Sequence, residues 1–121
     1  MAQGIGIDII EVIRIDRVIL RYGKKFLDRL FTEDEQGYCL RHQKAARHFA
    51  ARFAAKEAIA KALGTGIREG ISWLDIEIGH DHHGKPIAKL SATLSSRFNY
   101  PNILLSISHT HEYAAAVALL L

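Results

Sequence analysis

The chain has 121 residues, of which 49% are hydrophobic and 24% are charged, and its formal net charge is +3. This composition excludes a disordered or fibrous protein and predicts one globular domain over residues 1–121 with a single modest core. Cys39 is the only cysteine, which excludes an intrachain disulfide and a multi-thiolate zinc site. We interpret Cys39 as a helix packing residue, because the sequence fixes no basic partner beside its thiol.

The N-terminal segment is apolar, but Asp8, Glu11 and Arg14 interrupt it. It therefore lacks the basic region and the continuous apolar stretch of a signal peptide. No apolar run in the sequence approaches the length of about 18 residues that a membrane span needs. We expect a soluble cytoplasmic protein that does not bind membranes.

The first half of the chain begins with a strand and continues with helices. Residues 4–10 alternate isoleucines with two glycines and an aspartate, which predicts a strand with one unusually bare face. A short helix is expected near 15–22, closed by Gly23. A capping box at 32–35 then predicts a helix that runs to about Arg41.

The longest helix is predicted at about 45–63, with Gly64 as its left-handed stop. The second half is rich in strand patterns, separated by the turn HDHHGKP and one short helix. The expected elements are a strand at 74–78, a strand at 87–90, a helix near 91–99, and closing strands at 103–109 and 113–120. The last strand is apolar on both faces, so it is either central in a sheet or covered by another subunit. This order of elements predicts an α+β fold rather than a doubly wound parallel sheet.

Two charged residues of the long helix stand out. Glu57 and Lys61 lie four residues apart, on neighbouring turns of one helix edge. One interpretation is a solvated ion pair worth about 0.2–0.5 kcal/mol. The alternative is that Glu57 binds a cation while Lys61 neutralises a phosphate, because the loop 64–66 follows at once and offers backbone amides to an anion. The segment lacks the GK[ST] of a Walker-type nucleotide site.

A carboxylate on the short first strand is the second unusual feature. Asp8 is costly to bury unless a cation or several donors meet it. It pairs with an arginine in one interpretation. In the other, it joins Glu57 in a two-carboxylate site of the kind that Mg²⁺ prefers, with positions left for water and substrate phosphate.

Histidines cluster in two predicted turns, at residues 80–83 and 109–111. A zinc site built from them is conceivable. Their turn context and their lack of helical spacing favour ordinary surface-loop histidines instead.

Four segments of the chain together resemble a known enzyme family. They are GIGIDIIEVIRI, FAARFAAKEAIAKALGTGI, HGKP and SISHTHEYAAAVALL. In this order and at this separation they resemble the holo-acyl-carrier-protein synthases, the small single-domain branch of the 4′-phosphopantetheinyl transferase superfamily. The resemblance covers almost the whole chain, and it implies an α+β fold with an antiparallel sheet packed on a long central helix.

The resemblance also implies an activity. Members of this family transfer the 4′-phosphopantetheine group of coenzyme A to a serine of apo-acyl carrier protein, in a magnesium-dependent step that supports fatty acid biosynthesis. Asp8 and Glu57 match the magnesium ligands, and Lys61 matches a lysine on the phosphates; these three are the implied catalytic residues. The implied coenzyme A contacts are Arg52, Lys61, Gly64, Thr65, Gly66, Pro86 and His109.

The resemblance further implies partners. Arg14 matches a basic position that faces the acidic carrier protein, and the neighbouring basic residues extend it as a patch: Arg17, Arg21, Lys24 and Lys25. The family also implies a homotrimer with active sites between subunits.

The chemistry of the matched residues suits such a reaction. Lys61 would stabilise the charge on the leaving phosphate, and Glu57 is the candidate base for the serine, either directly or through a metal-bound water. The rival hypothesis is a non-catalytic basic module that binds an acidic protein or RNA. Against RNA, only Tyr22 and Phe26 are available for stacking within the basic segment.

Overall fold

A computed structural model describes residues 2–67 and 70–121 of the chain. Within these residues a run of helices follows the first strand, and most of the strands lie in the second half, which agrees with the predicted α+β fold. In chain order they are β1 (Gly4–Glu11), α1 (Val12–Tyr22), α2 (Lys24–Leu30), α3 (Glu33–Leu40), α4 (Ala45–Ala62), a 3₁₀ turn (Trp73–Asp75), β2 (Ile76–His80), β3 (Pro86–Leu90), α5 (Ala92–Arg97), β4 (Ile103–His109) and β5 (Tyr113–Leu120).

The strands form two antiparallel sheets around the long helix α4. One sheet has the order β1-β5-β4, and the other is the hairpin β2-β3. The last strand, β5, is therefore central in its sheet, which was one of the two alternatives left by its apolar sequence. Helix α4 lies against β1 and β5, and its buried alanines form the centre of the core.

The bare face of β1 is explained by the close approach of α4. A Cβ added to Gly6 would lie 1.9 Å from the carbonyl oxygen of Ala58, and one added to Gly4 would lie 2.2 Å from that of Ala62. Neither distance is possible for a real side chain, so both positions require glycine. The same close packing carries Asp8, which shares this face of the strand, to the edge of α4.

Gly6→Ala is expected to lower the free energy of unfolding by about 2–3 kcal/mol, because the new methyl group overpacks a rigid helix backbone. Urea titration followed by circular dichroism measures the change. Gly37→Ala is the matched control, since a Cβ added at Gly37 in α3 meets nothing within 4 Å; it is expected to be neutral or slightly stabilising. Equal stability of the two variants would contradict this account of the strand–helix contact.

The opposite face of β1 is an exposed apolar surface. Ile5, Ile7 and Ile9 are 66–68% exposed. Pairing across the sheet places further exposed apolar side chains on the same face, namely Leu104, Tyr113 and Val117. We call these six residues the apolar sheet face. A contiguous apolar surface of this kind is typical of an interaction site.

Three boundaries differ from the sequence prediction. Helix α1 begins directly after β1, at Val12 rather than near residue 15. The segment after Gly23 forms a separate helix, α2, because the positive φ of this glycine (58°) turns the chain without a longer loop. Leu74 lies in the 3₁₀ turn and not in a strand, because the side chains of Ser72 and Asp75 cap that turn reciprocally.

The capping box at the start of α3 is confirmed, and one of its members has a second role. Thr32 Oγ1 accepts from the amide of Glu35, and Glu35 Oε1 accepts from the amide of Thr32. Glu35 is also buried and forms an ion pair with Lys56, at 2.7 Å between Oε1 and Nζ. No pattern in the sequence predicts this contact.

The buried Lys56 ammonium joins several segments of the chain. Besides Glu35, it donates to the carbonyl oxygens of Leu30 (2.6 Å) and Trp73 (3.0 Å). The second carboxylate oxygen of Glu35 accepts from the amide of Ile78 at 2.9 Å. This ion pair therefore ties α2, α3, the 3₁₀ turn and β2 to the long helix.

The packing role of Cys39 is confirmed. Its side chain is fully buried, and burial raises the pKa of the thiol to about 12. Among the helices of the described residues, none combines the length and apolarity needed to cross a membrane.

Candidate functional site

Asp8 and Lys61 meet where β1 packs against α4. Lys61 Nζ donates to Asp8 Oδ1 at 3.0 Å and to the carbonyl oxygen of Ile7 at 2.9 Å. Among the ion pairs of the described residues, Lys61 pairs with Asp8 and not with Glu57. The interpretation of Glu57 and Lys61 as a plain intrahelical ion pair is therefore wrong, and the cation beside Asp8 is a lysine rather than an arginine.

Glu57 lies on the same helix edge and is half-buried. Burial raises the pKa of its carboxyl group, the Asp8 carboxylate raises it further, and Lys61 partly opposes both effects. Asp8 and Glu57 are thus close enough to repel each other, with one lysine between them. Two carboxylates short of neutralising charge fit a hard divalent cation that retains several waters, which is the coordination that Mg²⁺ favours.

A cleft of about 600 Å³ opens beside this cluster. It is lined by Glu57 and Lys61 and, from the following loop and the 3₁₀ turn, by Gly64, Thr65, Gly66, Ile67 and Trp73. The glycine loop and the charged edge of α4 therefore belong to one concave site. Trp73 stacks on Phe53 with ring centroids 4.9 Å apart, which fixes one wall of the cleft.

The backbone amides of the glycine loop were expected to be available to an anion. In the structure they are not available, because they bond to carbonyl oxygens of α4. The amide of Gly64 donates to the carbonyl oxygen of Lys61, and those of Thr65 and Gly66 donate to that of Ala60. These hydrogen bonds terminate α4, and the positive φ of Gly64 (88°) confirms the predicted left-handed stop. Any phosphate in this cleft would be neutralised by Lys61.

A second polar cluster surrounds Arg52, one and a half turns before Glu57 on α4. The Arg52 side chain is 3% exposed, and its guanidinium carbon lies 4.2 Å from the ring centroid of Tyr38. Its Nη2 lies 3.5 Å from Nδ1 of His80, and its buried Nε has no hydrogen-bond partner in the part of the chain that the structure describes. Within the described residues no carboxylate pairs with Arg52. A buried guanidinium without a counterion suits an anion.

His109 belongs to this second cluster through its contact with His48, whose ring centroid lies 5.5 Å away. Arg52 and His109, which the family resemblance assigned together, therefore lie in one region of the structure. Sequence analysis missed His48, His42 and Tyr38, which complete the cluster. The spacing of His48 and Arg52, four residues apart on one helix, was a signal that could have found it.

Two further predicted features lie apart from these clusters. Pro86 lines a different cleft, together with residues of β4 and β5, so one chain does not bring it to Glu57. The zinc site considered for the histidine turns receives no support, because no group of three His, Cys, Asp or Glu side chains in residues 2–67 and 70–121 is arranged so that it could hold a metal ion.

The predicted basic patch is exposed on α1 and at the start of α2. Its members are Arg14, Arg17, Arg21, Lys24 and Lys25. Lys24 differs from the others because it donates to Asp28 Oδ1 at 2.7 Å and to Gln36 Oε1 at 3.1 Å. Its charge is therefore partly offset, and the three arginines of α1 carry most of the positive charge.

Comparison with known proteins places these features in a family. The sequence model of the 4′-phosphopantetheinyl transferase superfamily matches residues 4–118. A holo-[acyl-carrier-protein] synthase of Protochlamydia amoebophila is 55% identical over 118 residues, covering 98% of this chain and 97% of the relative.

Solved structures agree in fold. The holo-[acyl-carrier-protein] synthase of Helicobacter pylori, solved in complex with coenzyme A, aligns with a TM-score of 0.87 at 36% identity, covering 96% of this chain and 98% of the other. The corresponding enzyme of Neisseria meningitidis aligns with a TM-score of 0.91 at 37% identity, covering 99% and 98% of the two chains.

Proposed function

Because the chain belongs to the 4′-phosphopantetheinyl transferase superfamily, we propose that it transfers the 4′-phosphopantetheine group of coenzyme A to a serine of apo-acyl carrier protein. The serine oxygen forms a bond to the β-phosphorus, the pyrophosphate linkage breaks, and adenosine 3′,5′-bisphosphate leaves. The observation that carries this proposal is the cluster of Asp8, Lys61 and Glu57 beside a cleft. The reaction would support fatty acid biosynthesis in the cytoplasm.

The cluster supplies the groups that this chemistry needs. Asp8 and Glu57 would hold Mg²⁺, which when bound supplies positive charge to the phosphate oxygens. Lys61 would release Asp8 and turn its ammonium to the leaving phosphate. The raised pKa of Glu57 brings this carboxylate closer to the range of an effective general base for the serine hydroxyl.

The Arg52 cluster is proposed to bind the nucleotide end of coenzyme A. Arg52 and His109 would contact its 3′-phosphate, since the buried guanidinium has an unused donor at Nε. The relative from Helicobacter pylori was solved with coenzyme A, and one from Bacillus anthracis, 42% identical, with coenzyme A (3′,5′-ADP). Both structures support a coenzyme A site on this fold.

The assembly is proposed to be a homotrimer with active sites between subunits. The apolar sheet face supports an assembly, because six large side chains of one sheet are exposed in the single chain. Pro86 also supports shared sites, since it lies away from Glu57 within one subunit. Sedimentation equilibrium tests the stoichiometry, and a monomer at micromolar concentration would contradict it.

The acidic carrier protein is proposed to dock on the arginines of α1. Arg14→Glu is expected to weaken carrier binding about tenfold or more at low ionic strength, and less at high salt, while coenzyme A affinity is unchanged. Surface plasmon resonance at several salt concentrations measures this effect. Lys89→Glu, which reverses an exposed charge on β3, is the matched control and is expected to have little effect. Salt-insensitive carrier binding would contradict the docking surface.

The activity itself is tested with the protein, coenzyme A, Mg²⁺ and an apo-carrier protein. Mass spectrometry of the carrier is expected to show the gain of one phosphopantetheine group, and removal of Mg²⁺ by a chelator is expected to abolish it. A carrier that a known transferase modifies but this protein does not would favour the rival hypothesis of a non-catalytic basic module.

A further inference from the structure

Four histidine side chains gather around Arg52 from separate parts of the chain. His42 follows α3, His48 is on α4, His80 ends β2 and His109 ends β4. The rings of His42 and His48 are stacked, with centroids 3.8 Å apart, and His48 contacts His109 edge-on at 5.5 Å. We call these four residues the imidazole cluster. Tyr38 bridges its members, since its ring lies 4.9 Å from the rings of both His42 and His80.

Among residues 2–67 and 70–121, the groups that act on His48 are neutral or positive. It faces Tyr38 and His42 from the side of α3, and His109 from β4. From its own helix it experiences the charges of Arg47 and Arg52. Burial, followed by the effects of these histidines and arginines, lowers the pKa of His48 to about 4.

His80 has a similar environment at the other side of the cluster. Burial and the charge of Arg52 lower its pKa, and the neighbouring Asp81 opposes this effect. His48 and His80 are therefore neutral near pH 7 and can each accept a proton if their surroundings become negative.

We propose that His48, held by its stack with His42, is a further anion-binding residue of this region, and that it takes up a proton when a phosphate monoester dianion binds beside Arg52. The dianion would satisfy the Nε of Arg52 and place negative charge beside His48, which favours the protonated form of its ring. The protonated His48 would then donate to the phosphate through a charge-assisted hydrogen bond. This inference rests on the proposed function only in identifying the dianion as the 3′-phosphate of coenzyme A.

The proposal fixes the sign of the pH dependence. Because a histidine pKa is higher in the complex than in the free protein, binding takes up protons and affinity rises as pH falls between those two pKa values. The phosphate itself contributes a pH dependence of the opposite sign. Its second pKa is about 6, so if only the dianion binds, a phosphate that is still monoanionic in solution releases a proton on binding. Around pH 7 the phosphate is already mostly dianionic, so net proton uptake there identifies the imidazoles.

Isothermal titration calorimetry with adenosine 3′,5′-bisphosphate at about pH 7, in two buffers of different ionisation enthalpy, measures the protons exchanged. We expect the wild-type protein to take up about 0.3–1 proton per site. Dephospho-coenzyme A, an adenine nucleotide that carries no phosphate monoester, is expected to bind without this uptake. Net proton release, or equal uptake with both nucleotides, would overturn the proposal.

Two variants test whether the proton is taken up within the imidazole cluster. His48→Phe keeps a ring in the stack and is expected to remove at least half of the proton uptake and to lower bisphosphate affinity several-fold. His42→Gln removes the ring that stacks on His48 and is expected to lower bisphosphate affinity several-fold. His83→Phe, in the exposed β2-β3 turn, is the matched control and is expected to change neither quantity. Circular dichroism verifies folding, and histidine NMR titration of the wild-type protein gives the ring pKa values with and without the nucleotide.

The outcomes separate this inference from the proposed function. Proton uptake that His48→Phe retains would overturn the inference, even if the enzyme transfers phosphopantetheine normally. Uptake lost in this variant, in a protein that fails to modify any carrier, would support the inference and count against the proposed function alone.

Discussion

Glu57→Gln is expected to lower the rate of carrier-protein modification at least about a hundredfold at saturating Mg²⁺. The substitution removes a proposed metal ligand and the candidate base while conserving side-chain volume. Asp8→Asn is expected to have a comparable effect, since it removes the other carboxylate. Single-turnover transfer measured by mass spectrometry gives the rates, and Glu112→Gln, at an exposed carboxylate after β4, is the matched control. A rate within a fewfold of wild type in either site variant would contradict the two-carboxylate site.

The raised pKa of Glu57 adds a stability criterion to this test. A carboxyl group whose pKa is higher in the folded protein than in the unfolded chain binds protons more tightly when folded. Its ionised form therefore costs stability near neutral pH, and this cost disappears as the pH falls through the folded pKa. Glu57→Gln removes the cost, so thermal unfolding is expected at the same or a higher temperature. A variant that loses both activity and stability would instead indicate a structural role.

Activity and stability should consequently respond to acid in opposite ways at Glu57. The carboxylate must be ionised to bind a metal or accept a proton, so turnover is expected to fall on acidification with a midpoint above that of an ordinary glutamate. Saturating Mg²⁺ would move this midpoint to lower pH, because the cation favours the ionised form.

Local patterns predicted most of the fold. The alternation of residues 4–10 gave a strand that extends to Glu11, and the capping box predicted the start of α3. The helix predicted at 45–63 runs from Ala45 to Ala62. These features depend on hydrogen bonds and side chains within a few residues of one another. The separate helix α2 was missed because Gly23 interrupts the chain without any longer polar loop to mark the break.

The alternating sequence of β1 could not show which of its two faces is buried against the rest of the chain. A period of two identifies residues that share a face, and isoleucines would ordinarily indicate the buried one. In the structure the glycines face α4, because the helix backbone comes too close for any side chain, and the isoleucines are exposed. That outcome depends on the distance between two elements far apart in sequence.

The residues of the candidate site could be predicted from the sequence, but many of the contacts that they form could not. The family resemblance selected Asp8, Glu57 and Lys61, and the structure places them together. The glycine loop shows the limit of such reasoning, because its amides are used by the end of α4. The histidines show another limit: sequence grouped them by turns, whereas the structure joins His48 with His109 across separate elements.

Lys56→Met is expected to lower the free energy of unfolding by about 3–5 kcal/mol, because it leaves the Glu35 carboxylate buried without its counterion. The carbonyl oxygens of Leu30 and Trp73 lose their donor in the same variant. This is a large part of the roughly 5–15 kcal/mol that stabilises a typical domain. Urea unfolding at a fixed protein concentration measures the change, since the proposed assembly makes stability concentration-dependent.

Lys24→Met is the matched control for this prediction. Lys24 also forms an ion pair at 2.7 Å, with Asp28, but both side chains are more than half exposed. Water already screens that pair, so its loss is expected to cost no more than about 1 kcal/mol. Similar effects of the two substitutions would contradict the central role of Lys56.

The double variant Glu35→Gln/Lys56→Met separates lost attraction from an uncompensated buried charge. Removing both charges relieves the unpaired carboxylate, so the double variant is expected to be more stable than Lys56→Met alone. Recovery is expected to be partial, because glutamine has a single acceptor oxygen, whereas the amides of Thr32 and Ile78 now bond to the two different carboxylate oxygens of Glu35. Additive losses would instead mean that Glu35 and Lys56 act independently, and that the ion pair does not hold α3 and β2 to the long helix.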